Sequence, residues 1–385
     1  RFWESRIGLD VAYYKDNTKN QIIPLQVPSE SGIANQLINA GNLQNQGVEV
    51  ALNLKLVDSP DFSWDLGANY THNRDKIIEL APGINEFRLF GNPDDSNSAT
   101  ASYAYVGGNY GDLVTRRGYD YYDGTNSSNH GIPVLANRNG WSVAYPIGIQ
   151  NKDSLYVMGN MQADWYGGMN TSIRYQRGRL SAIVDAKFGG EIYSADARYG
   201  LHQGVLESSL PNRDASQGGI TWTSQGQGQN FFGKTYEDGY IPNGVFPDGT
   251  TVTSGPADNR TNVDVGGLTY QQAYDEGLVE PTHWSGYVYR WTSASTGTPI
   301  TGVYTSSWVG LREVTLSYDV PSEILDKILV KSASLALTGR DLGFLYNSLP
   351  DNINPTLSSN AAANPLQQKS SPYIRSISFS LKLNF

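Results

Sequence analysis

Regular alternation of apolar and polar residues is the feature that most constrains this chain. In its last ten residues, SISFSLKLNF, every odd position is apolar and every even position is polar. Successive side chains of a β-strand point to opposite faces, so such a segment has one apolar and one polar face. The apolar face of this terminal strand consists of Ile377, Phe379, Leu381, Leu383 and Phe385.

The same alternation recurs along the chain. RIGLDVAYY (6–14), GVEVALNLKL (47–56) and FSWDLGANYTHN (62–73) each place their apolar residues in phase on one face. With the terminal segment, the pattern predicts about eight strands and an all-β, antiparallel fold. The other predicted strands are 170–177, 180–189, 308–320 and 331–341.

The connections between these strands are alternately short and long. The short ones are 57–61, 176–179 and 320–329. Transmembrane β-barrels have short turns at one rim and long extracellular loops at the other, so this order predicts a barrel with both chain ends on the short-turn side. The long connections are about 18–45, 76–169, 190–307 and 342–373.

A soluble β-sandwich or propeller is the alternative, because its core-facing strands alternate in the same way. Two features favour the membrane. Loops of about 90 and 120 residues far exceed the connections of compact domains, and Tyr and Trp lie near strand ends, as in an interfacial girdle. The sequence has no run of ~20 apolar residues, which excludes a transmembrane helix but not a barrel, whose strands need only ~10 alternating residues.

Composition narrows the function. A net charge of −9 argues against a nucleic-acid partner, which would be bound through basic residues. The absence of Cys excludes disulfides and thiolate metal sites. The first residue is Arg1, so we expect a segment upstream of it.

The catalytic and metal motifs are weak. GQNFFGKT (228–235) matches the phosphate-binding pattern G-x-x-x-x-G-K-[ST], but neither a buried strand before it nor a helix after it is predicted, so we interpret it as a loop. The four His are too scattered for a zinc site. YDYYDG (119–124) faintly resembles a calcium loop and is more typical of a turn, which leaves a structural calcium open. We expect no catalytic residues, no cofactor and no enzymatic activity, and a short helix within 268–280.

Aromatic residues in the long connections are the candidate ligand contacts. They either stiffen these connections as small cores or stack on a ligand such as a sugar ring or a peptide side chain. The candidates are Trp141, Tyr145, Trp222, Phe231, Phe232, Trp284, Tyr287 and Trp291, with Tyr236 and Tyr289 beside them.

Five segments, read in order, resemble the C-terminal part of the SusC/RagA family of TonB-dependent outer-membrane transporters of Bacteroidota. Two positions depart from the family pattern, Ala163 where Pro is usual and Asp341 where Asn is usual. The segments are NAGNLQNQGVEVALNLKL (39–56), GNMQADWYGGMNTSIRYQRGRLSAIVDAKFGGEIYS (159–194), SSWVGLREVTLSYDVPSEIL (306–325), LTGRDLGFL (337–345) and RSISFSLKLNF (375–385).

The resemblance implies that residues 1–385 supply about eight C-terminal strands of a barrel of about 22, while the plug domain lies outside this sequence. It implies outer-membrane import of oligosaccharides or peptides, with loops outside the cell. The implied partners are a SusD-like surface lipoprotein, the TonB complex, the remaining N-terminal part of the barrel and outer-membrane lipid. The terminal apolar residues Ile377 to Phe385 would then face lipid.

Two other functions stay open at this stage. A SusC-like barrel can serve as a structural subunit of a larger outer-membrane assembly. A soluble β-rich glycan-binding protein is the second alternative, and recovery without detergent would favour it.

Overall fold

The structure is a computed structural model, and the chain is numbered β1 to β24 and α1 to α4 along its length. It consists mainly of antiparallel strands, as the sequence predicts. The residues that the structure describes are 6–26, 35–94, 99–138, 141, 143–146, 148–150, 155–293, 297–325, 330–356, 366–367 and 374–385.

One sheet of eight strands forms the wall of the molecule. Its strands lie in the same order as in the sequence, and each pairs antiparallel with the next. The wall strands are β1 (Ile7–Gln26), β2 (Asn35–Asp58), β3 (Phe62–Glu79), β12 (Trp165–Tyr175), β13 (Gly178–Phe188), β21 (Trp308–Asp319), β22 (Ser332–Asn347) and β24 (Ser376–Asn384).

The register of the wall keeps the apolar residues in continuous rows. Leu316 of β21 lies opposite Leu180 of β13 on one side and Leu337 of β22 on the other. Leu337 in turn lies opposite Phe379 of β24. Because each strand repeats with a period of two, these pairs place all apolar faces on the same side of the sheet. The wall therefore has one apolar face and one polar face.

The apolar face is open in this chain. Leu316 is 57% and Leu337 51% exposed, although both lie in the middle of long strands. A contiguous apolar surface of this kind marks contact with lipid or another protein. Among the described residues no helix is long and apolar enough to cross a membrane.

The polar face holds paired charges. The Arg312 guanidinium Nε lies 2.6 Å from Asp185 Oδ1, and its Nη1 lies 3.3 Å from Asp341 Oδ1. Between the same strands β21 and β22, Arg340 Nε lies 2.9 Å from Glu313 Oε2. A β-bulge between Leu311 and Glu313 lets Arg312 and Glu313 point to this face together.

Long connections lie between β3 and β12, between β13 and β21 and between β22 and β24. Residues 59–61, 176–177 and 320–331 join wall strands at one rim, where β1 also begins and β24 ends. The predicted loop 18–45 is a correction: its described residues continue the β1–β2 hairpin, with register pairs running from Ile7 and Leu54 up to Gln26 and Asn35. This stretch is rich in polar residues, so it lacks the apolar alternation that predicts a strand. Its amide side chains instead hydrogen-bond across the hairpin, as between Asn17 Nδ2 and Asn42 Oδ1 at 2.8 Å.

The other long connections fold into smaller sheets. In 76–169, where the loop was predicted, β3 continues to Glu79 and β4 to β11 follow. In 190–307 the described strands are β14 to β20, and in 342–373 β22 continues to Asn347 before β23. The bounds are β4 (Glu86–Gly91), β5 (Ala101–Tyr105), β6 (Asp112–Thr115), β7 (Arg117–Tyr119), β8 (Leu135–Arg138), β9 (Val143–Pro146), β10 (Gly148–Gln150), β11 (Tyr156–Asn160), β14 (Glu191–Ser194), β15 (Ile220–Thr223), β16 (Thr235–Tyr240), β17 (Thr251–Ser254), β18 (Thr261–Asp264), β19 (Thr282–His283), β20 (Val303–Thr305) and β23 (Leu366–Gln367).

The helices are short and lie in the connections. The helix predicted within 268–280 is present as α2, which begins with a capping box in which the Thr269 hydroxyl accepts from Gln272 N and the Gln272 side chain accepts from Thr269 N. The described α-helices are α1 (Ala195–His202), α2 (Tyr270–Asp275), α3 (Trp284–Trp291) and α4 (Ser322–Leu325).

We expect Leu337→Arg to lower the amount of folded protein in the outer membrane. Leu337 lies on the apolar face, and an arginine on the lipid face of a barrel costs about 2–4 kcal/mol at mid-membrane depth. The matched control is Ala336→Arg on the same strand, which points to the polar face and lies opposite Ser317 and Ser380. Quantifying folded protein by its heat-dependent gel mobility checks this, and equal losses in both variants would contradict a lipid-facing apolar side.

Candidate functional site

The connection between β3 and β12 and the connection between β13 and β21 fold against each other into one unit. We call this unit the cap; it comprises the described residues of 80–164 and 189–307. Val245 forms bridges with Val134 from the first connection and Thr269 from the second. The main core of the cap likewise combines Leu135 and Ala144 with Phe246. Apolar burial between two distant stretches therefore holds the cap together.

Helix α3 carries a stack of aromatic rings. Trp284, Tyr287 and Trp291 are spaced i, i+3 and i+7, so they share one helix face. The ring centroids of Trp284 and Tyr287 are 5.7 Å apart, and those of Tyr287 and Trp291 are 5.6 Å apart. Tyr240 closes the stack at 4.9 Å from Trp284. These candidate ligand contacts are thus assembled into one cluster.

The polar ends of this cluster have partners within the protein. Trp284 Nε1 donates to Ser209 O at 3.0 Å, and Trp291 Nε1 donates to the Tyr119 hydroxyl at 3.1 Å. Burial raises the pKa of the Tyr287 hydroxyl, and the neighbouring hydroxyls of Tyr240 and Tyr119 raise it further. These contacts are those of a small aromatic core that stiffens the cap, the first of the two roles considered for these residues.

A buried arginine fixes α1 against the end of α3. Arg198 is fully buried and donates to Thr292 O at 3.0 Å, Ser293 O at 2.9 Å and the Tyr193 hydroxyl at 2.8 Å. Nearby, His202 stacks on Tyr289 with centroids 4.3 Å apart. Burial lowers the pKa of His202, so this ring is neutral near pH 7.

Two more candidate contacts lie in or against these cores. Tyr145 is buried beside Tyr287. Trp141 packs edge-to-face on Phe246 with centroids 4.8 Å apart. Their packing serves the stability of the cap, and a ligand contact for either residue stays a prediction.

A second aromatic cluster joins β15, β16 and β19. Trp222 stacks on Tyr236 with ring centroids 5.1 Å apart, and the His283 ring lies 5.1 Å from Trp222 and 4.8 Å from Tyr236. The pairing of Gly239 with His283 across β16 and β19 brings these distant residues together.

The carboxylate of Glu280 organises the loop beside this cluster. Glu280 is buried, and its oxygens accept from Trp222 Nε1 at 3.3 Å, from Asn230 Nδ2 at 3.0 Å and from the Ser224 hydroxyl at 3.0 Å. The backbone N–H groups of Gln225 and Gln227 also point to Oε1. A buried charge is tolerated only with such partners. Residues 224–234, which we call the Glu280 loop, therefore wrap around an internal anion.

The stretch that resembles a phosphate-binding motif lies in the Glu280 loop. It connects two antiparallel strands, β15 and β16, and confirms the interpretation of 228–235 as a loop. Its tip presents two phenyl rings to solvent, with Phe231 70% and Phe232 55% exposed. Lys234 Nζ lies 5.7 Å from the Phe231 ring centroid and 4.9 Å from that of Tyr236. Of the eight candidate contacts, these two are the exposed ones.

The described residues contain no group of three His, Cys, Asp or Glu side chains placed to hold a metal ion. In the 119–124 segment, Tyr122 is buried and its hydroxyl donates to Asp248, which also accepts from Thr125 N at 2.8 Å. Burial raises the pKa of Asp120, and the charge of Asp123 raises it further. The calcium hypothesis for this segment rests on the sequence alone.

The terminal strand β24 forms one edge of the wall. Its residues from Ser376 to Asn384 are all exposed, and those predicted to face lipid lie in the same rows as Leu335 and Leu337. Their contact with lipid stays a prediction.

A family model matches the first part of the chain. Residues 1–181 match the family described as TonB dependent receptor-like, beta-barrel. Over slightly less than half of its length, the chain is therefore similar to TonB-dependent receptor β-barrels. The wall strands β1, β2, β3 and β12 lie within the matched residues.

Curated proteins that are similar to this chain are also TonB-dependent receptors. TonB-dependent receptor P3 of Formosa agariphila is 25% identical over 203 residues, which cover 49% of this chain and 19% of the relative. TonB-dependent receptor SusC of Bacteroides thetaiotaomicron is 31% identical over 83 residues, 21% of this chain and 8% of that protein. The chain thus spans about a fifth or less of the length of these relatives.

Solved structures agree on the fold. The RagAB peptide importer in its "closed-closed" state aligns with 100% of this chain and 34% of its own, with a TM-score of 0.57 and 14% identity. A second RagAB peptide transporter structure aligns with 99% of this chain and 34% of its own, with a TM-score of 0.56 and 15% identity. At this identity the likeness concerns the fold.

Sequence reasoning missed the polar residues of the cap. Glu280, Asn230, Asp238 and His283 form one network only because β16 and β19 pair, and no spacing in the sequence marks them. The aromatic face of α3, by contrast, is readable as the i, i+3, i+7 pattern of WSGYVYRW.

We expect Glu280→Gln to open the Glu280 loop. The amide nitrogen of glutamine would face groups that only donate, such as Trp222 Nε1, and losing hydrogen bonds to a buried charge costs about 1.5–3 kcal/mol each. Hydrogen–deuterium exchange of 224–234 should therefore accelerate at least tenfold. Glu276→Gln, at the exposed C-cap of α2, is the control and should leave exchange unchanged. Unaltered exchange in Glu280→Gln would mean that the carboxylate does not hold the loop.

Proposed function

We propose that this chain forms part of the barrel wall and the cap of an outer-membrane importer that is energised through TonB and takes up oligosaccharides or peptides. Its strands would be C-terminal strands of a larger barrel, and the cap would lie outside the cell. The observation that carries the proposal is the wall: eight antiparallel strands with one continuous apolar face, in a chain whose first 181 residues match the receptor barrel family.

The geometry of the wall supports a place within a larger barrel. Along the described residues, β1 and β24 pair on one side only. Unpaired backbone N–H and C=O groups in lipid cost several kcal/mol each, so an open sheet needs further strands to close it. The polar face, with the Arg312–Asp185 pair, would then line the lumen.

The cap supports recognition outside the membrane. It is a folded unit with its own cores, so it presents a fixed surface instead of mobile loops. Phe231 and Phe232 project from a loop that is tied down by Glu280, which favours them as contacts for a ligand or a partner protein. A SusD-like surface lipoprotein is the partner that the family favours, since the RagAB structures and SusC are among its relatives.

Uptake measurements test the import proposal. A strain that lacks the full-length receptor and is complemented with it should accumulate a labelled oligosaccharide or peptide, and should lose accumulation when TonB is removed. A panel of both substrate classes is needed, because aromatic surfaces bind sugar rings and peptide side chains alike. TonB-independent passage of the same solutes would overturn import and favour a passive pore.

A parallel purification distinguishes the structural alternative. Mass spectrometry of the proteins that co-purify from detergent-solubilised outer membranes should find a SusD-like lipoprotein together with a TonB-type plug. Secretion or assembly factors in their place would move the function to a structural subunit, and recovery without detergent would exclude the barrel.

Substitutions in the two aromatic groups should distinguish residues that contact a ligand or partner from residues that stabilise the cap. The double variant Phe231→Ala, Phe232→Ala removes two exposed rings, so we expect normal abundance with at least tenfold weaker binding of the ligand or lipoprotein. Trp284→Ala instead removes a half-buried, packed ring and should destabilise the cap. Binding titrations and protease resistance of the two variants check this. Unchanged binding in the double variant would remove Phe231 and Phe232 from the contact surface.

A further inference from the structure

The ring of His283 lies between two oxygen acceptors. Its Nδ1 is 2.9 Å from Asp238 Oδ1, and its Nε2 is 3.0 Å from Asn230 Oδ1. The rings of Trp222 and Tyr236 pack on it, so the imidazole has little freedom to turn away from either oxygen.

The orientation of the Asn230 amide is fixed by Glu280. Asn230 Nδ2 donates to Glu280 Oε2 at 3.0 Å. This oxygen also accepts from Trp222 Nε1, a nitrogen that can only donate, so Glu280 acts here as an acceptor. Turning the amide over would place its oxygen against the Glu280 carboxylate. Asn230 Oδ1 therefore has to face His283.

Both ring nitrogens of His283 must then donate. A neutral imidazole has one N–H and one bare nitrogen, and only the imidazolium has two N–H groups. The chain of contacts runs from the Glu280 carboxylate through the Asn230 amide and a positively charged His283 to the Asp238 carboxylate. A neutral ring would set a nitrogen lone pair against one of the two oxygens.

Charged groups from β16, from the residues before β19 and from the Glu280 loop surround the ring. Asp238 of β16 contacts the ring directly. Glu280, which precedes β19, contacts Asn230, which in turn contacts the ring. The cation on this side is Lys234, whose Nζ lies 4.9 Å from the Tyr236 ring centroid. Tyr236 and Trp222 contribute aromatic faces. Two carboxylates thus oppose one lysine.

We propose that His283 is a pH-sensitive latch on the Glu280 loop. Histidine is the side chain that ordinarily changes charge between about pH 5 and 8. In acid the ring carries two N–H groups and holds Asn230, which lies next to the exposed Phe231 and Phe232. With rising pH the ring loses one N–H and Asn230 loses a partner. Only the protonated ring donates to both oxygens in the folded loop. The stabilisation of the loop by these two hydrogen bonds is therefore fully present at low pH and is lost as the pH rises.

The latch controls how firmly the loop tip is held. At low pH the two phenyl rings are held in one position by a closed chain of hydrogen bonds. At high pH the loop remains tied by Glu280 but is released at Asn230. The latch does not depend on which solute is imported, so its test is independent of the uptake assay.

Hydrogen–deuterium exchange of the full-length receptor in detergent tests the latch. Exchange of 224–234 is compared at about pH 5.5 and about pH 8, which bracket histidine titration, after correction for the intrinsic base-catalysed rate. We expect corrected exchange about tenfold faster at the higher pH, the effect of losing one hydrogen bond to a charged group. In His283→Gln the corrected exchange should be the same at both values.

Two further variants keep the test decisive. His130→Gln is the matched control, because His130 is exposed and contacts Gly124 O through one ring nitrogen; it should retain the wild-type pH response. Asp238→Asn removes one negative charge from the ring and should move the transition to lower pH. Equal corrected exchange of the wild-type loop at both values, or a pH response that survives in His283→Gln, would overturn the latch.

Discussion

The pairing of backbone groups across eight strands is the constraint on which the rest of this structure depends. In the proposed outer-membrane barrel, lipid offers no hydrogen-bond partner to backbone N–H and C=O groups, so neighbouring strands have to satisfy them. The register of these paired strands fixes which side chains share a face. The rows through Leu180, Leu316 and Leu337 follow from it. So does the gathering of charged residues, such as Arg312 and Asp185, on the opposite face.

The cap obeys a different constraint. Its strands are short and its sheets have two to four strands, too small to be stable alone. Stability comes instead from apolar and aromatic contacts between the two long connections, and from a few buried polar groups with complete sets of partners. Arg198 and Glu280 are two such groups of opposite charge. Around each of these two residues, side-chain hydrogen bonds take the place of regular secondary structure and specify one conformation of the loop.

The wall could be predicted from sequence because its signal is local. A period of two, repeated in SISFSLKLNF and GVEVALNLKL, needs no knowledge of distant residues. The predicted strands were shorter than the observed ones where polar residues extend a hairpin, as in β1 beyond Thr18. The cap could not be predicted in the same way. Glu280 and Asn230 are 50 residues apart, and His283 meets Asp238 through a two-residue strand, so their chemistry exists only in three dimensions.

The length of the β1–β2 hairpin has a consequence for how solutes reach the molecule. At ~3.3 Å per residue, the 20 residues of β1 extend about 65 Å. Tilted by about 45°, the strand still rises about 45 Å, while the apolar band of an outer-membrane barrel is only about 25 Å tall. In the proposed outer-membrane barrel, this sector of the wall would therefore extend beyond the membrane surface. A solute that approaches this sector along the membrane surface would then meet the hairpin and would have to pass over its end.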